Sequence, residues 1–103
     1  MRELHHPPRE CLSMPQVLHA LSDPIRLCIV RQLACEGELA CGTFCETAPK
    51  STMSHHFKVL RQAGVIHQRS EGTSCFNSLR RDDLDARFPG LLTAVMQAQE
   101  DFE

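Results

Sequence analysis

The stretch Lys50 to Gly64, KSTMSHHFKVLRQAG, most restricts what this chain can fold into, because it combines a helix start, two chemically opposite faces and a stop. Met53, Phe57 and Leu60 recur at the spacing of one helical face. Ser51 is placed to cap the helix, its side-chain oxygen accepting a free N–H of the first turn. Gly64 stands where a helix ending in the left-handed conformation needs a residue without Cβ. The opposite face carries Ser51, Ser54, His55, Lys58, Arg61 and Gln62, side chains that reach phosphates and base edges. A DNA-reading helix is the hypothesis these residues set. His56 falls beside Phe57 and Leu60 on the wheel, so it is expected to pack rather than read bases.

Charge is segregated around this stretch. Residues 50–81 carry six basic groups and one acidic group, whereas residues 1–49 sum to −2 and residues 82–103 to −5. The overall charge of −2 argues against indiscriminate adhesion to nucleic acid, and the basic block coincides with one pair of elements. At 103 residues the chain is one domain by size, and a core this small benefits from burial against a second copy. No apolar run approaches the roughly 20 residues that span a bilayer, and MRELHHPPRE is unlike a secretory signal. A cytoplasmic protein with no membrane association is expected.

Elsewhere, residues 1–12 read as a flexible arm without periodicity, and residues 13–103 as the folded domain. Ser13 caps a short helix with Met14, Val17, Leu18 and Leu21 on one face. Asp23 followed by Pro24 starts a second helix, in which Ile25, Ile29 and Leu33 form the apolar stripe up to Gly37. Leu39 to Glu46 is expected to form a third, short helix that ends before Pro49. With the Lys50–Gly64 helix it makes a helix-turn-helix. Val65–Arg69 and Ser74–Leu79 are extended runs around Ser70-Glu71-Gly72-Thr73, a hairpin with Gly72 supplying the unusual backbone angle and Arg69 near the tip. Asp82 or Asp83 starts a last helical region, with a restart at Pro89. The fold class that results is mainly α with a small β-hairpin, about five helices in a winged helix-turn-helix.

The strings Leu21-Ser22-Asp23-Pro24-Ile25-Arg26-Leu27, Gly37-Glu38-Leu39 and Ser51 to Ile66 together resemble the ArsR/SmtB family of small winged-helix repressors. The resemblance spans roughly Val17 to Leu79. It implies a homodimer formed by the N- and C-terminal helices, bound to a double-stranded inverted-repeat operator and released by an effector. It also implies that Ser51, Thr52, Ser54, His55 and Lys58 face the groove, with Arg61, Gln62 and Arg69 nearer the phosphate backbone and Lys50 among the DNA-binding residues.

Six cysteines without a secretory signal read as thiols rather than a disulfide framework. The family's C-terminal metal site requires histidines that Leu91–Glu103 lacks. Its Cys-x-Cys site, in the helix before the recognition helix, is matched only by Cys41 and Cys45, four apart. On a helix those two sulfurs would share a face, and Cys11 could supply a third thiolate for a soft metal or metalloid ion. A thiol-redox response and simple burial as small hydrophobes stand beside that reading. Cys28 and Cys35, two helical turns apart, are separated by about 10 Å, too far for an unaided disulfide.

Catalysis is not expected. Ser54 and His55 project in different directions from a helix, and the chain has neither a Gly-rich phosphate loop nor a paired-carboxylate pocket. The competing reading is a winged-helix module that makes protein contacts without binding DNA; the basic block between Lys50 and Arg81 argues against it.

Overall fold

The structure, a computed structural model, describes residues 4–41, 44 and 49–98. Helix α1 spans Met14–Ala20, and Ser13 caps it as expected, its Oγ accepting the Gln16 N–H at 3.3 Å. Helix α2 spans Pro24–Glu36. Asp23 Oδ1 accepts the N–H groups of Ile25 at 2.8 Å and Arg26 at 3.2 Å, while Pro24 occupies the first helical position, where a missing N–H costs nothing. Helix α3 is Lys50–Ala63 and ends at Gly64, whose φ of 85° and ψ of 15° are left-handed.

The start of α3 differs from the expectation. Pro49, not Ser51, is the boundary residue, and no side chain caps the helix. Proline has no N–H to satisfy and its φ is already set, so its carbonyl accepts the Met53 N–H at 2.9 Å and Ser51 falls within the first turn.

A second correction concerns Leu39 to Glu46. Leu39–Ala40 is a strand, β1, rather than the start of a helix. Strands β2 (Ile66–Glu71) and β3 (Ser74–Leu79) form the expected hairpin, and β1 pairs antiparallel with the free side of β3, Leu39 opposite Asn77 and Ala40 opposite Phe76. The sheet order is β1-β3-β2. The backbone groups of β3 recruit the segment after Gly37, a non-local effect that helical spacing does not register. The rest of that expected helix, including Cys45, lies outside the described residues, apart from Cys41 and Phe44. Phe44 is buried, with its ring edge-on to Phe57 at 5.3 Å. The hairpin turn is tighter than expected: pairing continues to Glu71 opposite Ser74, and only Gly72 of the two turn residues has positive φ, 61°.

Helices α4 (Arg81–Arg87) and α5 (Leu91–Gln97) complete the described chain, with the restart at Pro89–Gly90 as expected. Asp82 and Asp83 lie in the first turn of α4, where carboxylates favour the positive end of the helix dipole. The core joins Val17 and Ala20 of α1, Ile29, Val30 and Leu33 of α2, Leu60 of α3, Ile66 of β2, Leu84 of α4 and Leu92 of α5. Each fully buried aliphatic side chain contributes about 1.5–3 kcal/mol. Along α1 the expected apolar face is divided: Val17 and Leu21 are buried, but Met14 and Leu18 remain exposed.

The arm is also revised. Residues 4–12 lie against the body instead of standing free. Leu12 is buried, Arg80 donates to the Pro7 carbonyl at 2.7 Å, Arg87 donates to the Leu12 carbonyl at 2.7 Å, and Arg9 pairs with Asp83 at 2.7 Å. A polar, proline-containing segment without periodicity is held by its carbonyls and by one apolar anchor, signals that periodicity does not carry.

A buried arginine connects three helices. Arg26, on the first turn of α2, donates through Nε to the Ala20 carbonyl at 2.7 Å and through Nη2 to the His19 carbonyl at 3.2 Å, both at the end of α1. Its Nη1 lies 3.1 Å from His56 Nδ1 on α3. A guanidinium only donates, so His56 is neutral with its proton on Nε2. Burial, and secondarily the nearby Arg26 charge, hold the His56 pKa below its ordinary value of 6.5, against the opposing effect of Asp23.

Two outcomes follow from this packing. A Cβ at Gly64 would collide with Leu12 Cδ2 and would strain the left-handed backbone. Gly64→Ala should therefore lower the thermal midpoint by about 5–15 °C, from roughly 1–2 kcal/mol of backbone strain plus the clash. The loss should shrink when Leu12 is also alanine. Because the unfolded chain protonates His56 more readily than the folded one, stability should be full above pH 6.5 and fall as pH drops below it. Thermal melts at pH 7.5 and 5.5 should show a smaller drop in His56→Gln than in the parent. Equal drops would remove His56 from the pH dependence.

Candidate nucleic-acid interface

Packing fixes how α3 is rotated. Met53, His56, Phe57, Leu60 and Ala63 are buried, which leaves Ser51, Ser54, His55, Lys58 and Gln62 exposed along the other side. Thr52 is half-buried at the edge of this stripe, and Lys50 is exposed at the start of the helix. Hydroxyl, imidazole, ammonium and amide groups thus stand in a row on one rigid helix, the inventory that base edges and phosphates require. The division between neighbours is sharp: His55 faces solvent and His56 faces Arg26, with ring centroids 6.1 Å apart.

Arg61 and Arg69, both expected near the phosphate backbone, are engaged within the fold. Arg61 turns toward the hairpin, and its Nη1 donates to Gln68 Oε1 at 2.8 Å. From there Gln68 Nε2 donates to Asn77 Oδ1 at 2.8 Å, and Asn77 Nδ2 donates to the Leu39 carbonyl at 3.4 Å. Asn77 has no exposed surface, so this chain supplies the partners that a buried amide needs. Arg61 Nε is buried and has no hydrogen-bond partner among the described residues. Gln62 keeps its side chain exposed, while its carbonyl accepts from Gln16 Nε2 at 3.2 Å.

Arg69, on the outer face of β2, pairs with Glu38 at 2.8 Å and with Glu71 at 2.9 Å, and its guanidinium lies 4.7 Å from the centre of the Phe76 ring. The Arg69 hydrogen bond holds the Glu38 carboxyl below the usual carboxylate range, and Glu38, then Glu71, push Arg69 further up. Exposed pairs of this kind contribute little to stability and exchange readily. His6 reaches the same strand. Its Nε2 accepts the Gln68 N–H at 2.9 Å, its ring stacks on His67 at 4.3 Å, and burial lowers its pKa.

The thiols fall into two groups. Cys11, Cys28 and Cys35 are exposed, whereas Cys41 and Cys75 are half-buried. Cys41 follows β1 directly, so the helical face that was to align it with Cys45 does not begin where expected, and Cys45 itself lies outside the described residues. Around Cys41 are Asn77 Nδ2, 3.2 Å from its sulfur, and the thiol of Cys75. Among the described residues no three of His, Cys, Asp and Glu come together to hold an ion.

The contacts that the sequence reading missed are those of Arg26, Gln68, Asn77 and Cys75. Strand parity carried a signal for three of them: Gln68 shares a face with Ile66, and Cys75 and Asn77 share one with Leu79, so all sit inward with core residues.

A helix-turn-helix domain model matches residues 21–69. The HTH-type transcriptional regulator YceK of Bacillus subtilis is 42% identical over 83 residues, covering 78% of this chain and 83% of that protein. The cadmium resistance transcriptional regulatory protein CadC homolog of Staphylococcus aureus is 34% identical over 73 residues, 66% of this chain and 58% of its own length. The crystal structure of the transcriptional repressor BigR from Xylella fastidiosa superposes with a TM-score of 0.59 at 28% identity, covering 72% of this chain and 84% of that one. No described helix is long and apolar enough to cross a membrane. With α3 followed at once by the β2–β3 wing, the architecture is the winged helix-turn-helix, and the chain belongs to the ArsR/SmtB-type family of DNA-binding transcriptional regulators.

Proposed function

We propose that the chain acts as a homodimeric repressor, two copies setting their α3 helices into successive major grooves of an inverted-repeat operator, about 34 Å apart. The observation that carries this reading is the exposed stripe of Ser51, Ser54, His55 and Lys58 on a helix whose other side is locked into the core. In this reading Ser54 and His55 contact base edges, Lys50, Ser51, Thr52 and Lys58 serve the groove and its walls, and Gln62 lies nearer the backbone. Arg69 reaches a phosphate by exchanging Glu38 and Glu71 for it, and Arg61 positions the wing against α3. The likeness to BigR, which is called a repressor, supports the direction of control.

Dimerisation is supported by Met14 and Leu18, 39% and 49% exposed on α1, the large apolar side chains that a lone protomer leaves in water among the described residues. Leu91, Val95 and Met96 of α5 are only partly covered. Release by an agent that acts on sulfur belongs to the same reading; it draws on the half-buried thiols beside the wing and on the likeness to a cadmium resistance regulator.

Duplex binding should weaken steeply as salt rises. Lys58→Ala should lower affinity alike on all sequences and reduce the logarithmic salt slope by about one. His55→Ala should lose about 1–3 kcal/mol of preference for the operator over a changed site. Fluorescence anisotropy at several salt concentrations measures all three, and salt-independent or absent duplex binding would leave the protein-contact module as the surviving reading. Separately, Leu18→Glu should shift sedimentation to the monomer with helical circular dichroism unchanged. A dimer that persists would place the interface elsewhere.

A further inference from the structure

We propose that Cys41 and Cys75 form a redox-sensitive dithiol, closing to a reversible disulfide that ties β1 to the wing and lowers operator affinity. The loss of affinity rests on the DNA-binding reading above; the bond itself does not.

The register places the two residues. Leu39 lies opposite Asn77 and Ala40 opposite Phe76, the pair at which the ladder ends; Cys41 comes next after Ala40 and Cys75 next before Phe76, so one further step of the same register would set them opposite each other. Directly opposed residues of an antiparallel pair have Cα atoms about 4.5–5.5 Å apart, inside the roughly 4.4–6.8 Å that a disulfide spans. Both sulfurs lie on the face of the sheet that carries Gln68 and Asn77, whose side chains are bonded to each other at 2.8 Å. Each also faces an amide: Asn77 Nδ2 is 3.2 Å from the Cys41 sulfur and Gln68 Nε2 is 3.7 Å from the Cys75 sulfur. Both residues are half-buried, so a small oxidant reaches them.

The chemistry balances with a hydroperoxide as oxidant. The Cys41 sulfur, deprotonated as it attacks, displaces the outer peroxide oxygen's partner and becomes a sulfenic acid, and the other oxygen leaves as an alcohol or, from hydrogen peroxide, as water. The Cys75 sulfur then attacks the sulfenic sulfur, and the hydroxyl departs as water with the Cys75 proton. Two thiol hydrogens and two electrons pass to the peroxide, and one S–S bond forms. Burial, together with the neighbouring Cys41, pushes the Cys75 thiol up to about 11, so Cys75 is the less ready of the two to attack the peroxide and Cys41 takes the first step.

The same amides connect the pair to the reading helix. Asn77 and Gln68 are bonded to each other, and Gln68 Oε1 accepts from Arg61 of α3. Arg61 follows Lys58 by one turn. Drawing the sulfurs into a bond displaces the groups that Asn77 and Gln68 now face, and the adjustment is passed to the contact that sets α3 against the wing.

The test uses the full chain with Cys11, Cys28 and Cys35, the three exposed thiols, changed to serine. After brief hydrogen peroxide treatment and alkylation, mass spectrometry should show the loss of two hydrogens and a Cys41–Cys75 linked peptide that dithiothreitol removes. Operator affinity should fall about tenfold on oxidation and return on reduction. Cys41→Ser and Cys75→Ser, each added singly, should abolish both changes, and the linked peptide should also appear in the parent protein. A Cys41–Cys45 link, an intermolecular link, full alkylation of both thiols, or a linked peptide with unchanged affinity would each overturn the proposal. Operator binding by the reduced protein is read in the same titration, so failure of the DNA-binding reading is distinguished from failure of the disulfide, which is read by mass alone.

Discussion

One buried guanidinium works with the apolar face of α3 to hold that helix in its rotation. Arg26 joins the two carbonyls that close α1 to the imidazole of His56 on α3, and it does so from the first turn of α2. An arginine in so buried a place is tolerated because three acceptors meet its fork geometry, which a lysine would not reproduce. Since His56 lies beside His55, holding one ring inward fixes the other outward. The polarity of the exposed stripe is thus set from within the core, by a contact that never touches a ligand.

Much of this was readable residue by residue, and the reasons differ. Asp23-Pro24 and Ser13 marked helix starts because capping is local chemistry, completed within three residues. Gly64 and Gly72 marked turns because their backbone angles exclude most other residues. The outward and inward faces of α3, including the separation of His55 from His56, followed from helical spacing alone. What escaped was decided by distant partners. Leu39 and Ala40 pair with a strand that arrives more than thirty residues later, and the seating of residues 4–12 depends on Arg80 and Arg87. Arg26 read as an unremarkable helix position, because nothing local distinguishes a guanidinium that turns inward. Arg61 and Arg69 read as free cations, yet glutamine in one case and two glutamates in the other already hold them.

The inner face of the wing changes character along its length. At the root, Ile66 and Leu79 join the apolar core; further out, Gln68, Asn77, Cys41 and Cys75 make a polar layer between the sheet and Arg61. Apolar residues throughout would bury more surface but would specify the angle between helix and wing less sharply, because dispersion contacts slide where hydrogen bonds do not. The outer face is organised by charge, with Arg69 spread over Phe76 between two carboxylates.

Gly64 accommodates Leu12 at the corner where α3 turns into the wing, and that close approach bears on the order of folding. Contacts joining Arg9 to Asp83, Pro7 to Arg80 and Leu12 to Arg87 span 73 to 75 residues of chain. Helices α1 to α3 can form their mutual contacts while a growing chain is still short, but the segment before α1, which also meets Gly64 and β2, completes its seat only once α4 exists. Closing so long a loop is entropically costly and slow relative to local helix formation. Residues 4–12 therefore act as a late closure, and the end of the reading helix acquires its final packing only after nearly the whole of the domain has been made.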